Sequence, residues 1–233
     1  MTGATGATGI GARRPRVLVG ACGSANVLNL PAYLTTLAHA CQAEIRVVLT
    51  ASAGAFLPAD ALRLLVSEVA GPQDDRLAHN HVSWARWADL LLVLPATAHT
   101  LAAAAHGVAD SFLTTTLLAH ERPVTFFPSM NEQMLRNPAV QRNIRTVRED
   151  GHQIVLPRPA LSFEAASGTY QDALSLPGPD AVARYAGKAL RARAAADAAA
   201  GTDAGYDGAA AAEADAGPDG ARPAPAPAVE GSA

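Results

Sequence analysis

Leu90-Leu-Leu-Val-Leu-Pro-Ala-Thr-Ala-His-Thr100 decides the fold. Its first five residues are a short, unbroken apolar run, and a proline and small hydroxyl residues follow at once. Such a run bounded by turn residues reads as a strand buried on both faces, the habit of parallel sheets. Val124–Phe127, followed by Pro128-Ser-Met-Asn-Glu-Gln-Met134, repeats the pattern. Two polar, Pro-led loops therefore leave the carboxyl ends of two buried strands. In an open α/β sheet that edge is where ligands bind.

Outward from these segments, strands alternate with helical stretches. Arg16–Gly20, Glu44–Leu49 and Gln153–Leu156 read as further strands. Leu28–Cys41, Asp60–Val69 (with Asp60 as cap), His81–Trp87, Thr100–His106, Ser111–Ala119 and Asn137–Asp150 read as helices, the last with Pro138 in its first turn. The alternation predicts an α/β protein, a Rossmann-like (flavodoxin-like) parallel sheet with helices on both faces, in a single domain. That domain is expected over residues 15–193. Residues 1–14, with their repeated Gly-Ala-Thr, are expected to be a disordered leader. Residues 194–233 are mainly Ala, Gly, Asp and Pro, and a disordered tail is expected there, after a last helix over Asp180–Ala199.

Composition narrows the class. The chain has 233 residues, 49% hydrophobic and 17% charged, enough for one sizeable core. A net charge of −3 without a basic stripe argues against nucleic acid, whose phosphates need clustered Lys and Arg. Cys22 and Cys41 form no CxxC pair, and the histidines have no Cys or carboxylate partner at metal spacing, so no metal is expected. There is no secretory h-region and no apolar run near ~20 residues. A reduced, cytoplasmic setting is the expectation.

Four more segments carry chemistry. Gly20-Ala-Cys-Gly-Ser-Ala-Asn26 follows the first strand, where small residues let a phosphate approach backbone N–H groups; a plain tight turn is the competing reading. Thr50-Ala-Ser-Ala-Gly54 places hydroxyls at the end of the second strand, for a ligand or for helix capping. His81, in Asn80-His-Val-Ser83, is a candidate general base, and Asn131 a candidate to orient a carboxylate or to cap a helix. Met130 and Met134 read first as core residues. Ser162-Phe-Glu-Ala-Ala-Ser-Gly-Thr-Tyr170 falls outside the regular pattern, as a lid over a cleft or a plain hairpin.

Together these segments resemble the homo-oligomeric flavin-containing cysteine decarboxylase family, over roughly Pro15 to Pro177. Pro95–Thr100 matches the family's PASANT motif, and Pro128–Leu135 its PxMNxxMW motif. Ala105–Thr116 is similar to its ANGIADNLLTT segment, and His81 falls at its active-site histidine. Within the family, Asn80-His81 and Ser162–Tyr170 are most similar to the peptidyl-cysteine decarboxylases of lanthipeptide biosynthesis, the epidermin type. Three positions depart: His99 stands for the Asn of PASANT, Leu135 for the Trp of the Met-Asn motif, and Thr169 for an Arg of the loop.

The resemblance implies FMN as cofactor and oxidative decarboxylation of the C-terminal cysteine of a precursor peptide to an aminoenethiol. Two electrons leave the cysteine before CO2, because direct loss of CO2 would leave an unstabilised carbanion. The resemblance implies His81 as the catalytic base. Substrate binding falls to Asn131, Met134, Ser167 and Gly168. Cofactor binding falls to Gly23, Ser24, Asn26, Thr50, Ser52, Thr97, Ala98, His99, Thr100 and Ser129. It further implies a homo-trimer that assembles into a dodecamer. The alternatives within the same fold are a phosphopantothenoylcysteine decarboxylase of coenzyme A synthesis and a non-catalytic regulatory flavoprotein. No cysteine follows Cys41, so the catalytic-cysteine loop of the former is absent.

Overall fold

The computed structural model describes residues 13–71, 80–164 and 168–203. In chain order the elements are β1 (Arg16–Ala21), a 3-10 turn (Ala25–Asn29), α1 (Leu30–Cys41), β2 (Glu44–Leu49), α2 (Ala51–Gly54), α3 (Ala59–Arg63) and β3 (Glu68–Ala70). Then come α4 (His81–Trp87), β4 (Leu90–Ala96), α5 (Ala98–His106), α6 (Phe112–Ala119), β5 (Thr125–Pro128), α7 (Glu132–Arg136), α8 (Pro138–Glu149) and β6 (Gln153–Ile154). A hairpin, β7 (Arg158–Glu164) and β8 (Thr169–Ser175), and α9 (Pro179–Asp203) complete it. The contacts divide the chain into two units, Met1–Arg193 and Ala194–Ala233. Both sheets lie in the first; of the second, only the end of α9 is described.

The main sheet is parallel throughout, in the order β3-β2-β1-β4-β5-β6. This is the expected α/β arrangement, with the winding direction reversing between β1 and β4. β4 is buried along its whole length, as its apolar run predicts. Alternate residues of β1 serve two cores. Val17, Val19 and Ala21 join the α1 and α9 side, whereas Leu18 joins the side built from α4, α5, α6 and α8. Helices thus cover both faces, and the hydrophobic effect fixes the strand register, since a one-residue slip would exchange the two sets.

Local chemistry explains the helices. In α8, Pro138 occupies the first turn, the Asn137 side chain accepts the Ala139 N–H at 2.9 Å, and Ile144 and Val147 face the core. The start of α6 is a capping box between Ser111 and Thr114. α6 lies close on β1 because Gly20 has no side chain: a Cβ there would stand 2.4 Å from Leu113 Cδ1. At its other end, buried His120 is hydrogen-bonded through Nδ1 to the Ala85 carbonyl at 2.9 Å, which ties α6 to α4.

Three expectations need correction. The helix expected over Asp60–Val69 stops at Arg63, and Glu68–Ala70 is instead a sixth strand, buried at Val69 and Ala70. Leu62, buried at 0% exposure, already anchors the short helix. The expected strand Gln153–Leu156 is only Gln153–Ile154. The last helix continues past Ala199 to Asp203. The rest of the expected leader and tail lies outside the described residues.

One carboxylate holds the amino edge of the sheet. Asp89, just before β4, accepts two hydrogen bonds from the Arg13 guanidinium, each 2.8 Å, and one from the Arg16 backbone N–H, also 2.8 Å. Arg193 adds an ion pair at 3.2 Å and donates to the Asp89 backbone carbonyl. Burial alone would raise the Asp89 carboxyl, but these partners hold it below the usual carboxylate value. A depressed carboxyl contributes stability that is complete above its unfolded pKa and is lost as the pH falls through its folded one. Asp89→Asn is therefore expected to cost about 1–3 kcal/mol at neutral pH. The difference from wild type should shrink below about pH 4, as followed by urea unfolding across pH. A difference that grows on acidification would contradict this role.

Candidate functional site

The loops at the carboxyl edge are set side by side by hydrogen bonds that continue past the strands. The Cys22 N–H donates to the Pro95 carbonyl at 3.1 Å, Thr50 N–H to Ala21 at 3.0 Å, and Ser129 N–H to Ala96 at 2.8 Å. The exits of β1, β2, β4 and β5 thereby form a row. At its centre, at the reversal between β1 and β4, lies a groove of about 450 Å³, within the size range of cofactor pockets.

The groove is lined by Gly23 after β1, Thr50 and Ser52 after β2, and Thr97–Thr100 after β4. Sequence reasoning had singled out each of these loops separately. Met134, expected on the substrate side, lines the same groove and is 46% exposed. The hydroxyls here are helix caps as well. Thr50 Oγ1 accepts the Ala53 N–H at 3.3 Å, and Thr97 Oγ1 accepts the Thr100 N–H at 3.4 Å. These residues are therefore helix caps and groove-lining residues at once.

Asp110, Ser111, Leu113 and Thr114 also line the groove, from the start of α6, and were not singled out as site residues. The signal was present: a Ser followed three residues later by a hydroxyl residue, just before an apolar helix, marks a helix amino terminus. The amino ends of α5 and α6 thus both open on the groove, and among the described residues no Lys or Arg lines it. An anion held there is met by N–H groups and hydroxyls. Asp110 accepts a hydrogen bond from Thr114 Oγ1 at 3.1 Å and stands 3.7 Å from His99 Nε2. These two exposed side chains face each other at the rim.

Two features fit a flat, phosphate-bearing group. Gly23 makes a cradle that a side chain would fill, since a Cβ there would stand 2.2 Å from Ser52 Cβ and 2.8 Å from the Ser52 carbonyl carbon. The wall behind it is neutral. Cys22 is fully buried, with Sγ 3.1 Å from Thr100 Oγ1. Burial pushes its thiol up, against the Thr100 hydrogen bond, so it presents no thiolate at neutral pH.

The other expected residues are distributed around this groove. Ser24, Asn26 and Ser129 form a cluster of their own: Ser24 Oγ and Ser129 Oγ are 2.6 Å apart, and Asn26 Nδ2 donates to Ser129 Oγ at 2.9 Å. Asn131 caps α7, accepting the Met134 N–H at 2.8 Å. It also lines a second pocket of about 320 Å³ between that loop and β8, with Gln171, Asp172 and Leu174 opposite. Ser162–Tyr170 is largely hairpin, with Gly168 at φ +66° leading into β8; Ser167 lies outside the described residues. His81 is the first residue of α4, half-buried, and is not among the groove-lining residues. Asn80 sets its backbone by accepting the N–H groups of Val82 and Ser83 at 2.9 and 3.1 Å. Leu135 is buried in the core rather than set in either pocket.

A family model described as Flavoprotein matches residues 10–176. The mersacidin decarboxylase of Bacillus sp. (strain HIL-Y85/54728) is 37% identical over 166 residues, 71% of this chain and 85% of its own length. Among solved structures, a His-to-Asn variant of EpiD complexed with the substrate peptide DSYTC matches with a TM-score of 0.68 at 28% identity, over 74% of this chain and 98% of that one. SpaF, an FMN-dependent cysteine decarboxylase, matches with a TM-score of 0.64 at 36% identity, over 78% and 98%.

Proposed function

The chain belongs to the Flavoprotein family, and on that basis we propose that it is an FMN-dependent decarboxylase acting on the C-terminal cysteine of a ribosomally made precursor peptide. The product is an aminoenethiol, the precursor of an aminovinyl-cysteine end as in lanthipeptides. The observation that carries this proposal is the convergence of Gly23, Thr50, Ser52 and Thr97–Thr100 on one groove at the sheet's reversal point. Relatives that act on cysteine support the substrate class.

In this proposal Gly23, Thr50, Ser52, Thr97, Ala98, His99 and Thr100 hold FMN. The phosphate is met by hydroxyls and helix-end N–H groups instead of cations. Ser24 and Asn26 would help hold FMN through the loop after β1, with the Ser129 backbone near its ring. Bound FMN supplies the two-electron oxidation of the cysteine that makes loss of CO2 possible. The chain's own share is binding and proton handling. Asn131 uses Oδ1 for its cap, which leaves its amide N–H groups to donate to the terminal carboxylate. Met134 packs against the substrate. Gly168, which leads into β8, and Ser167 clamp the peptide in this proposal. His81 accepts the proton released from the cysteine.

His81 lies outside its own subunit's groove lining. That supports an assembly in which a neighbouring copy completes the site, a homo-trimer and from it a dodecamer. No described helix is long and apolar enough to cross a membrane, and we place the enzyme in the cytoplasm, where both thiols stay reduced.

Three outcomes are expected. A Cys-ended peptide incubated with the purified yellow protein should lose CO2 and two hydrogens by mass spectrometry; loss of CO2 alone would indicate redox-neutral chemistry instead. His81→Asn should keep bound flavin and lose turnover by about 10²-fold or more, and full activity would refute its role. Gly23→Ala should cost about 1–3 kcal/mol of stability through overpacking against Ser52 and lower flavin occupancy, read from the visible absorbance of the purified variant. Undiminished occupancy would remove Gly23 from the cofactor site.

A further inference from the structure

A second groove lies on the face where α1 and α9 pack together. Arg184, Lys188 and Arg191 follow one another at helical spacing and share one side of α9. With Asp180, Ala183 and Gly187 of the same helix, and Ala40 near the end of α1, they line a groove of about 490 Å³. The groove is open because Gly187 has no side chain: a Cβ there would stand 3.3 Å from Arg191 Nη1 and 3.9 Å from Cys41 Sγ. Beneath it the helices are tightly joined. Val182, Ala183 and Ala186 enter the core, and the Cys41 thiol donates to the Ala183 carbonyl at 3.6 Å.

This groove gathers cations that lack an ion-pair partner among the described residues. The chain carries a net charge of −3, and many of its described cations are paired: Arg13 and Arg193 with Asp89, Arg46 with Glu68, Arg63 with Asp60, and Arg136 with Glu132. Among the described residues Arg184, Lys188 and Arg191 have no ion pair. Among the described residues Asp180 is the single carboxylate in the groove lining. Lys188 is also the only lysine in the sequence. Three unpaired cations around an open groove, on a protein otherwise acidic, form a surface complementary to a carboxylate-bearing chain.

The proposed substrate provides such a chain. Chemistry at the last residue of a peptide leaves everything upstream of it outside the groove at the carboxyl edge. The α1–α9 groove lies toward the opposite edge, since Cys41 ends α1 just before β2 begins at Glu44. The length of β2 separates the two edges, about 20 Å, which about six extended residues can span. We infer that Arg184, Lys188 and Arg191 bind an Asp/Glu-rich segment of the precursor peptide upstream of its C-terminal cysteine. This rests on the peptide-decarboxylase function proposed above.

Two peptides ending in cysteine test it, one with a glutamate-rich upstream segment and one with glutamines in the same places. With the wild-type holoenzyme the glutamate peptide should have a KM about tenfold lower at low salt, an advantage that fades at high salt. Arg184→Gln, Lys188→Gln and Arg191→Gln together should abolish the advantage and leave turnover of a short Cys-ended peptide unchanged. Equal KM values for the two peptides, or an advantage that survives the triple substitution, overturn the inference. Acetylation of Lys188, mapped by mass spectrometry, reads the contact without turnover: the glutamate peptide should protect it and the glutamine peptide should not. Protection without any decarboxylation leaves this site standing and refutes the activity. Decarboxylation with Lys188 unprotected does the reverse. A change in oligomer size in the triple variant, with no dependence on peptide charge, assigns the face to subunit contacts and overturns the inference.

Discussion

The pairing of β1 with β4 is the contact on which the rest of the molecule depends. These two strands lie side by side at the point where the winding reverses. Connections leaving them turn to opposite faces of the sheet, and a crevice opens between the exits. The Cys22 N–H to Pro95 carbonyl bond carries the pairing one step past β1. It holds the two loops at a fixed separation. Without it, Gly23 and Thr97 would be small residues in unrelated turns.

The groove's chemistry follows from that spacing. Its hydroxyls cap helices that start at the sheet edge, so the same side chains that end one element present donors and acceptors to a ligand. Among the described residues no Lys or Arg lines it, so the groove offers an anion oriented N–H groups and hydroxyls, which need little reorganisation when a ligand binds. The three unpaired cations of the α1–α9 groove lie apart from it.

The three positions where the chain departs from its family's motifs have different structural meanings. His99 is 76% exposed in its side chain and faces Asp110 across the rim of the groove. Thr169 opens β8, opposite Glu164 in the hairpin register. Leu135 is only 7% exposed and belongs to the core. The first lines the groove at the carboxyl edge, and the second lies in the hairpin. The third fills space under α7, so a smaller residue than Trp there is a matter of core packing.

Much of the fold was legible because its signals are local. The apolar runs of β1, β2, β4 and β5, the capping residues and the motif-bearing loops each announce themselves within a few neighbouring residues. β3 was not legible: three residues at the sheet's edge are too short to show a period of two, and only pairing with β2 makes them a strand. The start of α6 went unnoticed as part of the site because nothing local says that Ser111 comes to rest beside Gly23. By itself the sequence determined most of the element types, the loops that line the groove and the family, because side-chain periodicity and turn chemistry are properties of neighbouring residues. Only the tertiary structure decided which loops share a groove, that Leu135 is core, that His81 stands apart from the groove lining, and that three cations meet beside Gly187. Those outcomes depend on strand order and helix packing, which bring together residues far apart in the chain.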